Sequence, residues 1–125
     1  MTPVEIIDKY PKIFGNRPFD PMKTLICFGF EVGKGWIPVL EDGFKKINDI
    51  VEKESIDDFR VTQVKEKFGT LRVYTNWSTD PIDKIVQEME KTCETVCEEC
   101  GEPGKFYTDG WMRVRCETCE EKGGY

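Results

Sequence analysis

The side chains with the most definite chemistry are four cysteines near the C-terminal end, Cys97, Cys100, Cys116 and Cys119. They form two C-x2-C knuckles separated by fifteen residues, a spacing that wraps four thiolates around one tetrahedral ion. The expected cofactor is one structural Zn2+ held by these four residues. Four thiolates fill its coordination sphere and leave no open position for a substrate. Two disulfides are the competing reading, and they need an oxidising compartment. Nothing indicates one: residues Met1 to Phe14 lack a basic start followed by an apolar run. No apolar stretch reaches membrane-spanning length, so the expected setting is a reducing cytoplasm without membrane contact.

The elements around the cysteines fit a ribbon. Gly101 follows Cys100 and lets the chain turn back past the metal. Lys105 to Thr108 and Trp111 to Arg115 read as short strands, with Asp109-Gly110 as a two-residue hairpin turn between them.

Composition excludes several functions. The chain has no histidine and only two serines, which removes the commonest general base and the usual hydroxyl and thiol nucleophile pairs. No catalytic residue is assigned, and an enzyme is not expected. The formal charge is -6; four thiolates add -4 and zinc +2, giving about -8 for the loaded protein. In the last lobe Glu94, Glu98, Glu99, Glu102, Asp109, Glu117, Glu120 and Glu121 outnumber Lys105, Arg113, Arg115 and Lys122. That balance weighs against sequence-blind nucleic-acid binding, which needs a basic footprint.

Upstream, Thr2-Pro3-Val4-Glu5 is a capping box opening a short helix through Ile6, Ile7 and Tyr10. Thr24 to Val32 is an apolar run read as a buried strand, with a helix as the alternative. A clear helix follows from about Trp36 to Lys53, with Leu40, Phe44, Ile47 and Val51 on one face and Gly43 allowing close packing. Phe59 to Lys65 and Thr70 to Trp77 read as a strand pair, and Asp80-Pro81 starts a helix running into the first knuckle. The expected fold class is α+β: a small antiparallel sheet packed with two or three helices, followed by a C-terminal zinc ribbon. The expected division is an α+β domain over 1–92 and a rigidly coupled ribbon lobe over 93–125.

Two segments could bind a ligand. In the first, Gln63, Lys65 and Lys67 point to one side of a strand, with Phe68, Arg72 and Tyr74 nearby. Cations beside aromatic rings suit an anionic ligand with a planar base. The competing reading, and the commoner arrangement, is a solvated outer sheet face. In the second, Gly33-Lys34-Gly35-Trp36 sits at a helix start, where free backbone N–H groups could hold a phosphate or carboxylate and Trp36 could form a pocket wall. The competing reading is a glycine turn with Trp36 anchored in the core. Cys27 and Cys93 lie outside the zinc spacing and read as small buried hydrophobes, Cys93 being also a conceivable rival ligand.

Taken together, the Gly33-x-Gly35-Trp36 turn, the string Gln63-Val64-Lys65-Glu66-Lys67-Phe68-Gly69-x-Leu71-Arg72 and the terminal ribbon with Gly110-Trp111 resemble a group of small uncharacterised bacteriophage and prophage proteins. The resemblance covers roughly residues 26 to 119 and transfers no catalytic residues. It implies a phage-encoded accessory protein acting in the host cytoplasm, such as a counter-defence factor that captures a nucleotide-like anion or a host protein. The alternative expectation is a transcription-associated zinc ribbon; a homo-oligomer is also compatible.

Overall fold

The computed structural model describes residues 1–122, and the fold begins with the capping box. The Thr2 hydroxyl accepts the Glu5 N–H at 3.2 Å, and the Glu5 carboxylate accepts the Thr2 N–H at 2.9 Å, opening α1 (Pro3–Lys9). Pro11 cannot continue that helix and instead starts a second one, α2 (Pro11–Phe14). Ile6, Ile7, Ile13 and Phe14 bury one face of the pair.

The central helix is α3 (Ile37–Lys53), which buries Leu40, Phe44, Ile47 and Val51. It packs against α4 (Asp80–Cys93), which buries Ile82, Met89 and Cys93. At Gly43 the two helices approach closely: a Cβ there would overlap the Met89 thioether.

The sheet has the order β1-β2-β3, with β1 (Phe30–Glu31), β2 (Val61–Lys67) and β3 (Thr70–Thr75). It is mixed, not antiparallel as expected. The chain leaves β1, crosses through α3 and returns as β2, a connection that makes the two strands parallel. β2 and β3 are antiparallel, with one irregularity between Val61 and Gln63. Thr62 sits at that irregularity, and its carbonyl accepts the Leu25 N–H at 2.7 Å. The expected strand over Thr24 to Val32 is thereby reduced to a 3-10 turn at Ile26–Phe28 and the two residues of β1. Gly29, at φ 73, breaks the extended course between them.

Phe14, Phe30 and Phe44 meet at ring-centroid distances of 5.0–5.9 Å in the core, with Val61, Val64 and Leu71 beneath them from the sheet. The ribbon pairs β4 (Lys105–Tyr107) with β5 (Arg113–Arg115). Its connection is the five residues 108–112, not a two-residue turn at Asp109-Gly110. The Arg113 guanidinium accounts for the longer loop, because it donates to the Asp109 and Trp111 carbonyls and gathers the loop around itself. A further helix, α5 (Glu117–Lys122), starts within the second knuckle and was not anticipated. Residues 123–125 of the expected ribbon lobe lie outside the described residues. Val114 of β5 is fully buried within the same apolar cluster as the helices.

Candidate functional site

The four knuckle cysteines come together as one group able to hold a metal ion, their sulfurs all within 4.8 Å of one another. Cys100 Sγ and Cys116 Sγ are 3.6 Å apart. Four sulfurs at about 2.3 Å from a central ion form a tetrahedron with edges of about 3.8 Å, so the cluster is close to that size. The first knuckle grows out of the end of α4. Its turn is closed by Gly101 N–H donating to the Cys97 carbonyl at 2.9 Å, with Gly101 at φ 85. The second knuckle is the first turn of α5, where Glu120 N–H donates to the Cys116 carbonyl at 3.0 Å.

The electrostatics favour a cation. Burial pushes the Cys97 thiol up, but backbone N–H groups of Cys116, Cys100 and Glu99 aimed at its sulfur outweigh that and bring it down to about 7. Hydrogen bonding with Cys116 and Cys100 pushes Cys119 up to about 12. The sulfurs share their protons as a group, and binding a positive ion favours their release. Cys93 stands apart: it is buried, and desolvation pushes its thiol up to about 12, so it is a core side chain and no ligand of this group. Cys27 is exposed, contrary to the expectation that it is buried.

The Gly33–Trp36 turn has a different role from the anion site considered for it. Its N–H groups are occupied by Glu98, which lies between Cys97 and Cys100. Gly33 N–H donates to the Glu98 carboxylate at 2.8 Å, and Gly35 N–H donates to the Glu98 carbonyl at 2.7 Å. A Cβ on Gly35 would meet Gly101 N at 2.6 Å and Glu98 O at 2.7 Å and would overlap the Cys97 carbonyl. Trp36 is 0% exposed, and its Nε1–H donates to the Val96 carbonyl at 2.8 Å. It therefore cannot stack on a ligand, and Lys34 alone of that turn is left at the surface. The turn is a seat for the first knuckle, and the anion it receives is the protein's own. Burial pushes the Glu98 carboxyl up, opposed by the Gly33 N–H.

The second knuckle has its own brace, which sequence reasoning missed. Arg113 is only 2% exposed and binds Glu120 through Nε at 2.9 Å and again through Nη2. Its guanidinium lies 4.9 Å from the Tyr107 ring. Paired arginines in a strand of an acidic lobe are the one local signal that could have marked it. Glu98 had no such signal, since its partners are more than sixty residues away.

The hairpin residues do assemble on one face. Cross-strand pairs place Gln63 opposite Tyr74, Lys65 opposite Arg72 and Lys67 opposite Thr70. Opposed residues share a face, and buried Val64 and Leu71 lie on the other. Lys67 and Tyr74 are exposed on this face, and Gln63, Lys65 and Arg72 are half-buried. The face also carries carboxylates: Gln63 donates to Glu31 at 3.3 Å, and Arg72 faces Glu90, beside which the sheet edge and α4 form a shallow cleft with Glu94. Burial raises the Glu90 carboxyl, with Arg72 and the Val73 N–H opposing. Phe68 is not on the face but at the turn, with Lys67 Nζ 5.6 Å from its ring centre. No helix of the described residues is long and apolar enough to cross a membrane.

No family model, no curated protein and no solved structure matches the chain.

Proposed function

We propose that the protein is a non-catalytic binding protein, of the accessory type suggested by its likeness to phage proteins, in which one Zn2+ clamps the ribbon and the outer face of the sheet captures an anionic, nucleotide-like ligand. Zinc is the ion that suits a closed tetrahedron of four thiolates, with iron the other ion of that geometry. The ion's part is to hold the ribbon together; it supplies no chemistry to a substrate. The observation that carries the binding reading is the cross-strand pairing of Lys65 with Arg72 and of Gln63 with Tyr74 on one face. Two adjacent cations can grip a phosphate, Tyr74 offers a ring to a base and Gln63 offers an amide to its edge.

Metal analysis of the purified protein tests the first part: one zinc per chain is expected, and iron in its place overturns that assignment. Calorimetric titration with nucleotides tests the second. Binding that drops at least tenfold in both Lys65→Ala and Arg72→Ala is expected; absence of binding, or binding indifferent to both changes, removes the ligand reading. A nucleic-acid-associated ribbon would instead give an electrophoretic shift that is strongest at low salt.

A further inference from the structure

The β2–β3 turn is built from Phe68 and Gly69, both at positive φ, 54 and 80 respectively. Two consecutive positive φ values define the two-residue hairpin turn that favours Asn-Gly, Asp-Gly or Gly-Gly. Phenylalanine is a poor choice for the first of these positions, because its Cβ crowds the backbone there. Nor does it gain burial in return, since Phe68 is 63% exposed. A large apolar ring held in a strained conformation and presented to solvent is the combination that marks functional positions.

Gly69 shows what surrounds that ring. A Cβ at this position would lie 2.7 Å from the Phe106 ring and 3.2 Å from the Met112 carbonyl carbon. The tip of the ribbon hairpin is therefore pressed against the tip of the sheet hairpin. Phe106 and Met112 are themselves 43% and 40% exposed, so three exposed apolar residues, Phe68, Phe106 and Met112, gather around the contact between the two hairpins at Gly69. Lys67 rims it, with Lys65 two residues further along the same strand. Neither lysine makes an ion pair among the described residues, in a chain of net charge -6.

We propose that these two hairpin tips are a docking surface for an acidic protein, with Phe68 as the anchor that enters an apolar pocket of the partner and Lys67 and Lys65 facing carboxylates beside that pocket. An exposed apolar patch with a charged rim is the usual form of a protein contact, and aromatic anchors carry most of its energy. A nucleic acid fits less well: a chain of net charge -6 repels a regular run of phosphates, whereas a protein can place its carboxylates opposite the two lysines alone. This surface goes beyond the nucleotide reading and shares with it Lys65 and the premise that the chain is a binding protein; its anchor, Phe68, lies outside that site, so a failed nucleotide titration leaves it standing.

Two measurements on the zinc-loaded protein decide the matter. The first needs no partner. Phe68→Asn relieves the turn, so the melting temperature should rise by about 3 °C if the ring serves an outside contact. A fall would make Phe68 an ordinary packing residue and overturn the proposal. The second places the photo-reactive p-benzoylphenylalanine at position 68, or at exposed Phe28 as the control, in an extract of the native expression host. The expected result is an adduct at position 68 only, on a peptide with carboxylates flanking the cross-link. Lys67→Glu should weaken the adduct at least fivefold, and exchanging a partner carboxylate for lysine should restore it. No adduct above the Phe28 control, a self-adduct, a nuclease-sensitive adduct or a peptide without carboxylates each overturns it.

Discussion

Replacing Gly35 by alanine separates two explanations of the glycine-rich turn by the sign of the effect. Gly35 is not in the left-handed region, so on backbone grounds alone alanine is acceptable and should stabilise by about 0.4–1 kcal/mol through the unfolded chain. The docking geometry predicts the reverse. The new Cβ would lie 2.6 Å from Gly101 N and 2.7 Å from Glu98 O, and these are backbone atoms of the metal knuckle that cannot swing aside. Either the core takes an overpacking strain of about 1–3 kcal/mol, or the knuckle lifts away. Lifting breaks the bonds from Gly35 N–H, Gly33 N–H and Trp36 Nε1–H to Glu98 and Val96. Two neutral bonds at about 1 kcal/mol and one to a carboxylate at about 2 kcal/mol sum to about 4 kcal/mol. The expected loss is therefore about 1–4 kcal/mol, according to the route taken, a large part of the stability of a small domain. Urea unfolding of the zinc-loaded protein measures it. Chelator competition should show zinc affinity falling by about tenfold or more, because the knuckle loses its seat. A Gly35→Ala protein as stable as the parent, or more stable, refutes the docking argument.

Three other outcomes follow from the same geometry. Gly69→Ala, at φ 80 against the Phe106 ring, should lose about 2–4 kcal/mol, whereas Gly110→Ala, at φ 81 with nothing within 4 Å of its Cβ, should lose only about 1 kcal/mol; equal losses in thermal unfolding would rule out hairpin-tip contact. In the zinc-loaded protein a thiol reagent should modify Cys27 at once and leave Cys93 untouched until unfolding, since burial holds the Cys93 thiol up at about 12; two fast thiols would contradict this. Zinc uptake near pH 7.5 should release at least about two protons, because Cys100 and Cys119 are both held above the ordinary thiol range without metal, and affinity must therefore fall as pH is lowered; calorimetry in buffers of different ionisation enthalpy counts them.

What could be read from the sequence divides by range. The capping box at Thr2, the apolar stripe of α3 and the nearness of Arg72 and Tyr74 to Gln63 and Lys65 were legible because each is settled within a turn or a hairpin, where spacing alone fixes neighbours. The cysteine cluster was legible for a different reason: metal chemistry demands one particular spacing. The failures are long-range. Thr24 to Val32 carries the residues of a strand, but Leu25 is claimed by the Thr62 carbonyl and Gly29 turns the chain. Asp109-Gly110 carries the strongest local turn signal in the ribbon, yet the Arg113 guanidinium drew the surrounding carbonyls into a wider loop. The parallel pairing of β1 with β2 could not be read at all, because it depends on where α3 returns the chain.

The Gly33–Trp36 turn shows how a sound local inference can point to the wrong partner. The chemistry was correctly identified as a set of N–H groups at a helix start, suited to a carboxylate. The carboxylate came from Glu98, sixty-five residues along the chain. Because Glu98 lies between two of the metal-binding cysteines, its position is governed by closure of the first knuckle. Its carbonyl holds Gly35 and its carboxylate holds Gly33, so the start of α3 is fixed by a residue that closure puts in place. On the other side, Phe106 and the Met112–Arg113 backbone rest against Gly69 in the β2–β3 turn. The cysteine lobe thus touches the rest of the protein at the start of α3 and again at the β2–β3 turn, in the middle of the segment that carries the proposed binding face. A cysteine site that itself touches no ligand would, on the proposed reading, still shape the outer sheet face by this route, because the β2–β3 turn of that face makes a contact that a collapsed ribbon would not make.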